Sequence, residues 1–193
     1  MSRPLPPTFT TAAARERGLH PRELYRMRDD GEVVELSRGV FRRADAPTPT
    51  WPDLLAVAHR TPAAAVCCVS ALQVHDLTDE IPAEVQIAVP RGHRPPRIDY
   101  PPTEVFRFAT ATFDLGASTV EAAPGEPVRV YGPERTVVDM MRLRLRLGEN
   151  IALGALRRYL RRRDARPGTL LDLARAMNVL GPVRAAISVA SAG

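Results

Sequence analysis

The sequence predicts an α+β fold with two parts: a unit of short helices and a β-hairpin over residues 1–46, and a mixed α/β domain with a C-terminal helical part over residues 47–193. Three observations predict it. Short helical and β-branched segments alternate at the start, a proline-containing stretch of small residues follows at 44–50, and strand patterns then give way to long helical patterns. With 45% apolar residues, the 193-residue chain can build a substantial core.

The first part begins with two predicted helices. Residues 9–19 favour a short helix that is capped by the threonine at position 10 or 11 and ended by Gly18. A second helix follows, because Pro21 suits the first helical position, and it runs to about residue 30. The spacing of Ala14, Gly18 and Leu24 allows the two helices to cross closely.

Two short strands are predicted next, at residues 33–36 and 40–43. Gly39 lies between them and suits a tight hairpin turn. The order helix, turn, helix, hairpin is typical of a winged helix-turn-helix. The stretch at 44–50 is then interpreted as a linker and a domain boundary.

The second part is predicted to contain both strands and helices. Its strands are expected over residues 84–89, 105–108, 119–122 and 128–131. Its helices are expected over residues 51–59, 70–77, 133–147, 149–163, 168–180 and 182–190.

The composition excludes several kinds of chemistry. All 27 basic residues are arginine. Phosphate loops, Schiff bases and nuclease centres that depend on a lysine are therefore ruled out. Cys67 and Cys68 are interpreted as buried thiols, and the four histidines have no metal-ligand spacing. We therefore expect no enzymatic activity, no cofactor and no metal. No apolar run is long enough to span a membrane, so a cytoplasmic location is expected.

The second predicted helix carries the candidate DNA-reading side chains. Leu24 and Met27 would face the core, which turns Arg22, Tyr25 and Arg26 outward, and Arg28 is a further candidate. Arginine can donate two hydrogen bonds to guanine, and tyrosine can contact phosphate or a thymine methyl group. The alternative is a solvated helix face whose arginines pair with neighbouring acids, namely Glu23, Asp29 and Asp30.

The hairpin carries further arginines. Arg38 lies at its predicted tip, and Arg42 and Arg43 lie on its return strand, where they would contact phosphate or the minor groove. Thr11, at the start of the first helix, completes the set of expected DNA contacts.

Charge is distributed unevenly along the chain. The net charge is +2 over residues 1–46, −4 over 47–130 and +6 over 131–166. Within the last of these segments, the helical pattern places the leucines at 153, 156 and 160 on one stripe. Four arginines lie on another stripe, which we call the arginine stripe: Arg157, Arg158, Arg161 and Arg162.

The whole chain resembles the AbiEi family of antitoxins and regulators of type IV toxin-antitoxin systems. Three segments carry the resemblance: FTTAAARERGLHPRELYRMRDDGEVVELSRGVFRRAD, VSALQVHDLTDEIPAEVQIAVPRGHRPPR and VRVYGPERTVVDMMRLRLRLGENIALGALRRYLRRR. The resemblance implies a winged helix that binds double-stranded promoter DNA and represses its own promoter, with possible self-association on DNA. It also implies an antitoxin domain, in which the arginine stripe meets a nucleotidyltransferase-like toxin.

The sequence departs from the family in two respects. His20 occupies a helix-cap position where serine or threonine is stronger, and family members usually have another helix before the one at residue 9. A winged helix without it has a thin core, which must be completed by the second domain, a second copy or a partner.

Other functions stay open at this point. Residues 52–193 could belong to a nucleic-acid-processing enzyme that the winged helix only delivers, or the chain could be a stand-alone winged-helix transcription factor. The arginine stripe itself could be a solvated face or could bind the DNA backbone.

Overall fold

The computed structural model describes residues 4–191, which form two β-sheets and the helices packed against them. The N-terminal unit, residues 4–46, contains a three-stranded antiparallel sheet in the order β1-β3-β2. Its elements are β1 (Thr8–Thr10), α1 (Thr11–Glu16), α2 (Pro21–Asp29), β2 (Val33–Ser37) and β3 (Val40–Arg43).

The strand β1 was not predicted, and the expected start of the first helix at residue 9 is wrong. Phe9 pairs with Phe41 of β3 in the sheet, so the helix begins two residues later. A three-residue strand has too short a pattern to be distinguished from a helix start by sequence alone. The predicted threonine cap is present, since the Thr10 hydroxyl accepts a hydrogen bond from the amide of Ala13 at 3.2 Å.

The core of the N-terminal unit is small. Gly18, with φ of +83°, turns the chain between α1 and α2, and both Ala14 and Leu24 are buried at the crossing of the helices. The sheet covers them with Phe9 and Phe41, whose rings stack with centroids 6.1 Å apart. The structure therefore has the close helix crossing that the spacing predicted.

Residues 47–191, for which we keep the name C-terminal domain, are built on a five-stranded mixed sheet in the order β6-β5-β4-β8-β7. Its strands are β4 (Ala65–Val66), β5 (Val85–Pro90), β6 (Thr103–Phe108), β7 (Ala117–Ala123) and β8 (Glu126–Tyr131). Its α-helices are α3 (Pro52–Arg60), α4 (Cys68–Val74), α5 (Pro133–Leu147), α6 (Glu149–Leu160), α7 (Pro167–Ala176) and α8 (Leu180–Ser191). The mixed α/β domain with a C-terminal helical part is thus confirmed, although the two-residue strand β4 was missed.

The sheet is covered on both faces. Alternate residues of β5 point to opposite sides, because side chains in a strand alternate. Ile87 lies in the core beneath α3, whereas Ala88 lies in the core shared with the helices from α4 onward. We call these later helices the helical layer.

Arg135, buried on α5, holds that helix against the end of β8 and against the segment between β6 and β7. The Arg135 guanidinium donates to Asp139 at 2.8 Å and lies 4.1 Å from the centroid of the Tyr131 ring. It also donates to the carbonyl of Thr112 at 2.7 Å. These contacts are structural, since both charged side chains are fully buried.

The N-terminal unit packs on the α3 side of the C-terminal domain, opposite the helical layer. Leu36 of β2 packs against the core beneath α3, and the Ser37 hydroxyl donates to the carbonyl of Tyr100 at 2.5 Å. Arg42 of β3 pairs with Glu126 at 2.5 Å. The second part of the chain therefore supports the N-terminal unit through contacts outside its small core, which contains residues of the N-terminal unit alone among those described.

Candidate nucleic-acid interface

The exposed face of α2 holds two arginines with no partner in the described part of the chain. Leu24 is 1% exposed, whereas the side chains of Arg22, Tyr25 and Arg26 face outward. Among residues 4–191, the guanidinium groups of Arg22 and Arg26 make no hydrogen bond and no ion pair. They are therefore available for an external acceptor such as a base edge or a phosphate.

The third arginine of α2 is already engaged. Arg28 pairs with Asp29 at 2.8 Å and with Glu35 of the hairpin at 3.4 Å. Its guanidinium also lies 5.1 Å from the centroid of the Tyr25 ring, and that ring makes an edge contact with Phe41. Arg28 thus orients Tyr25 and joins α2 to the hairpin. For this one residue, the alternative interpretation of an arginine paired with neighbouring acids applies.

The hairpin tip lies at the start of α1. Gly39 has φ of +76°, a conformation that favours glycine, and its amide donates to the Glu35 carboxylate at 3.0 Å. Its carbonyl accepts from the amide of Thr11 at 3.0 Å and from the hydroxyl of Thr11 at 3.4 Å. Arg38 is exposed beside it at the tip. Thr11 therefore fixes the position of the tip.

The expectation that Arg42 contacts DNA needs correction. Arg42 is 5% exposed, and its guanidinium donates to the Thr8 hydroxyl at 2.5 Å, to Glu126 and to the Pro47 carbonyl. Glu126 is distant from Arg42 in sequence, so the local sequence pattern could not predict that Arg42 is buried. Arg42 is an anchor between the two parts of the molecule.

Arg43 is also less available than expected. It pairs with Asp45 through two hydrogen bonds and donates to the carbonyl of Leu5 at 3.3 Å. The hydrogen bond from Arg43 lowers the pKa of the Asp45 carboxyl, so the pair persists at neutral pH. Of the three hairpin arginines, Arg38 is the one whose side chain makes no hydrogen bond or ion pair within residues 4–191.

The arginine stripe is divided, and only half of it is helical, because α6 ends at Leu160 and not at the predicted residue 163. Arg158 pairs with Asp79, which lies in the acidic middle segment, and this hydrogen bond lowers the pKa of Asp79. Arg162 pairs with Asp164 at 2.9 Å and donates to the carbonyl of His75 at 3.1 Å. Arg158 and Arg162 are thus compensated from within the chain.

The other two stripe residues are exposed, and within residues 4–191 no carboxylate pairs with them: Arg157 and Arg161. They lie in the helical layer, on the far side of the sheet from the N-terminal unit. Any surface that they form is therefore separate from the exposed face of α2.

Within residues 4–191, no three His, Cys, Asp or Glu side chains lie close enough together to hold a metal ion. Cys67 and Cys68 are buried free thiols, and burial raises the pKa of Cys67 well above its ordinary value. Over the same residues, no helix is long and apolar enough to cross a membrane.

Sequence reasoning missed one group of basic residues. The group consists of Arg60 at the end of α3 and the arginines at 91, 94 and 97. Their segment has a net charge of −4, so its net charge gave no indication of a basic surface. The local density of arginine in RGHRPPR would have identified the three at 91, 94 and 97, but not Arg60.

Comparison with solved structures supports the fold. The crystal structure of the RV2827C protein from Mycobacterium tuberculosis is similar, with a TM-score of 0.58 over 92% of this chain and 72% of that chain. At 17% sequence identity, the likeness concerns the fold alone. No curated protein matches the chain.

Comparison with protein families concerns the N-terminal unit. Residues 5–44 match the family model described as "Transcriptional regulator, AbiEi antitoxin". The resemblance to AbiEi regulators is therefore confirmed over these residues, which include both short helices and the hairpin.

Proposed function

We propose that this protein is a DNA-binding transcriptional regulator of the antitoxin type, whose N-terminal unit acts as a winged helix-turn-helix on its own promoter. The observation that carries the proposal is a pair of arginines on the exposed face of α2, Arg22 and Arg26, whose guanidinium groups have no partner within residues 4–191. They lie within the segment that matches the regulator family. A regulator of this kind acts in the cytoplasm and has no catalytic residue.

The arrangement suggests a division of roles on DNA. The α2 helix enters the major groove, where Arg22 and Arg26 donate to base edges, most favourably to guanine. Tyr25, held by Arg28, contacts the backbone at the groove edge. Arg38 at the hairpin tip contacts phosphate or the adjacent minor groove, and Thr11 holds the tip in place.

Binding to the promoter tests this proposal. Fluorescence anisotropy titrations compare the DNA upstream of the gene with a shuffled duplex of the same composition, at salt concentrations from 50 to 200 mM. We expect the upstream DNA to bind at least roughly 10³-fold more tightly, which is the lower end for specific regulators. Equal affinity for both duplexes would contradict sequence-specific regulation.

We further propose that the C-terminal domain neutralises a cognate nucleotidyltransferase-like toxin. The supporting observation is that Arg157 and Arg161 are exposed in the helical layer, on the side of the sheet away from the N-terminal unit. Arginine is favoured at protein interfaces, and two guanidinium groups that pair with no carboxylate of the described residues suit an acidic patch. Co-expression with the adjacent reading frame, scored by growth rescue and co-purification, tests it. Failure of rescue leaves the stand-alone transcription factor as the better description.

A further inference from the structure

The loop that follows β5 is a concentration of exposed positive charge. Residues 91–97, which we call the arginine loop, contain Arg91, Arg94 and Arg97 as well as His93, and all four are exposed. The loop itself contains no acid, and the nearest acid along the chain is Asp99, whose carboxylate lies 3.4 Å from Nε of Arg97. Such a cluster repels itself unless an outside anion compensates it.

The structure places this loop next to the hairpin tip. Arg60, at the end of α3, donates to the carbonyl of Arg38 at 2.8 Å through one nitrogen and to the carbonyl of Arg97 at 3.1 Å through another. One guanidinium thus joins the two backbones. The Ser37 hydroxyl, which donates to the carbonyl of Tyr100 at 2.5 Å, forms a second connection.

The acceptors in these connections are backbone carbonyls, so the guanidinium groups of the loop and tip are not used in them. Within residues 4–191, the guanidinium groups of Arg38, Arg91 and Arg94 make no hydrogen bond and no ion pair. The base of the loop is held separately, because Arg107 of β6 donates to the carbonyl of Arg91. A firmly held backbone with unpaired cationic side chains is suited to bind an extended anion without rearrangement.

The shape of the surface favours a polymer over a small anion. The cleft between tip and loop has a volume of about 440 Å³ and is lined by six residues: Ser37, Arg38, Arg60, Arg97, Asp99 and Tyr100. Its one carboxylate, Asp99, opposes the capture of a small anion inside. Arg91 and Arg94 lie outside this lining, farther along the loop, so the positive charge continues beyond the cleft.

We propose that the arginine loop is a second DNA-binding element, which grips backbone phosphates flanking the site read by α2, on the side of the hairpin tip. This inference rests on the proposed function, because it takes the tip to face DNA. The C-terminal domain thereby lengthens the DNA site, and Arg60 acts as a positioning residue that aligns the loop with the tip.

The test uses the full-length chain and its upstream DNA. In the variant Arg91→Gln/Arg94→Gln, two charges are removed that have no side-chain partner in residues 4–191, so folding is preserved. The matched control is Arg163→Gln/Arg184→Gln, which removes two exposed charges from the far side of the sheet. Hydroxyl-radical footprinting and the dependence of affinity on salt are measured for both.

We expect the loop variant to lose protection at the outermost phosphates on one flank while it keeps the central footprint. Its affinity at 150 mM salt falls on the order of 10- to 30-fold, and the slope of log affinity against log salt becomes shallower by about two units. The control keeps the wild-type footprint and slope.

If the loop variant keeps the wild-type footprint and salt slope, the proposal is wrong. The proposed function still stands in that case, because the wild type keeps its preference for the promoter. Loss of protection in the centre instead of the flank also overturns it, because the loop would then lie inside the site. If the wild type shows no promoter preference, the proposed function fails by itself. The salt slopes of the wild type and the loop variant on shuffled DNA are then compared. Equal slopes show that the loop does not bind DNA phosphates.

Discussion

Arg42 and Glu126 form a nearly buried ion pair that joins the N-terminal unit to the C-terminal domain. The distance between Nη1 and Oε1 is 2.5 Å, and the two side chains are 6% and 12% exposed. Because Arg42 also donates to the Thr8 hydroxyl and to the Pro47 carbonyl, one guanidinium connects β1, β3, β8 and the segment that follows β3. This pair therefore fixes the orientation of the helix–hairpin unit relative to the five-stranded sheet.

Removal of either partner should destabilise the whole protein. We expect Arg42→Ala to cost about 3–5 kcal/mol, because it leaves the Glu126 carboxylate buried without its partner. Glu126→Ala should cost somewhat less, since Arg42 keeps its bonds to Thr8 and Pro47. Thermal unfolding should show a fall in the midpoint of roughly 6–20 °C for Arg42→Ala.

A double-mutant cycle provides the control. If the two residues act as a pair, Arg42→Ala/Glu126→Ala loses less than the sum of the single losses. At temperatures where Arg42→Ala stays folded, its salt slope for DNA binding should equal that of the wild type. A shallower slope would show that Arg42 contacts phosphate after all.

The hairpin shows how far local sequence patterns could go. Gly39 predicted the turn, and the short β-branched segments predicted both strands. The arginines of the hairpin differ in their partners. Glu126, distant in sequence, pairs with Arg42, whereas Asp45, two residues away, pairs with Arg43. The Arg38 guanidinium has no partner within residues 4–191. Sequence patterns indicate the periodicity of a strand or helix. They do not indicate which of its faces another part of the chain will bury.

The α2 helix gives the prediction on sequence preference. Arg22→Ala or Arg26→Ala should each weaken promoter binding by about 1–3 kcal/mol and relax the preference at one base position. The physical reason is the loss of a two-donor contact to a base edge. Binding to single-base variants of the promoter measures it, with Arg184→Ala as the control on the far side of the sheet.

An equal loss of affinity for promoter and shuffled DNA would show that these arginines touch only the backbone. In that case the base-reading role would pass to another residue of the N-terminal unit.

The hairpin tip gives a prediction of a different kind. Arg38→Ala should weaken binding to every sequence alike and should make the salt slope shallower by about one unit, because one phosphate contact is lost. Arg43→Ala is the matched control, since Arg43 is occupied by Asp45 and should leave the slope almost unchanged. If Arg38→Ala instead alters preference at a single base pair, the tip reads sequence.

Two partly buried histidines predict how stability depends on pH. Burial lowers the pKa of both His59 and His75, and the His75 ring lies 2.7 Å from the Tyr131 carbonyl. The unfolded chain, with an ordinary histidine pKa of about 6.5, therefore takes up protons before the folded chain does. Stability should be complete above that pH and should fall as the pH drops below it.

The measurement is the thermal midpoint at pH 7.5 and at pH 5.5. The variant His59→Gln/His75→Gln, whose glutamine at 75 can still donate to Tyr131, should lose less stability over this range than the wild type. The aspartates of the surface ion pairs, Asp45, Asp79 and Asp164, have lowered pKa values and titrate below this window. An identical fall in both proteins would assign the pH dependence to other groups.

The arginine stripe shows a second limit of sequence reasoning. The helical pattern placed its arginines on one stripe, and acids nearby in sequence were few. The distant carboxylate of Asp79 nevertheless compensates Arg158, since the fold brings the acidic middle segment to α6. The free part of the stripe could be identified only after the tertiary contacts were known.

The last prediction concerns that free part. Reversal of charge in Arg157→Glu/Arg161→Glu should abolish growth rescue in co-expression with the toxin, because an acidic patch on the partner would be repelled. The stability of the variant should fall by no more than about 1 kcal/mol, the value of a favourable charge at a helix C-terminus. The control Arg163→Glu/Arg184→Glu carries the same change in net charge on other parts of the helical layer and should still rescue growth.

Arg158→Glu should give the opposite pattern. Its melting temperature should fall, because the introduced glutamate would repel Asp79, but growth rescue should be kept. Full rescue by Arg157→Glu/Arg161→Glu would remove this surface from toxin neutralisation, and a large drop in its melting temperature would show that these arginines stabilise the fold.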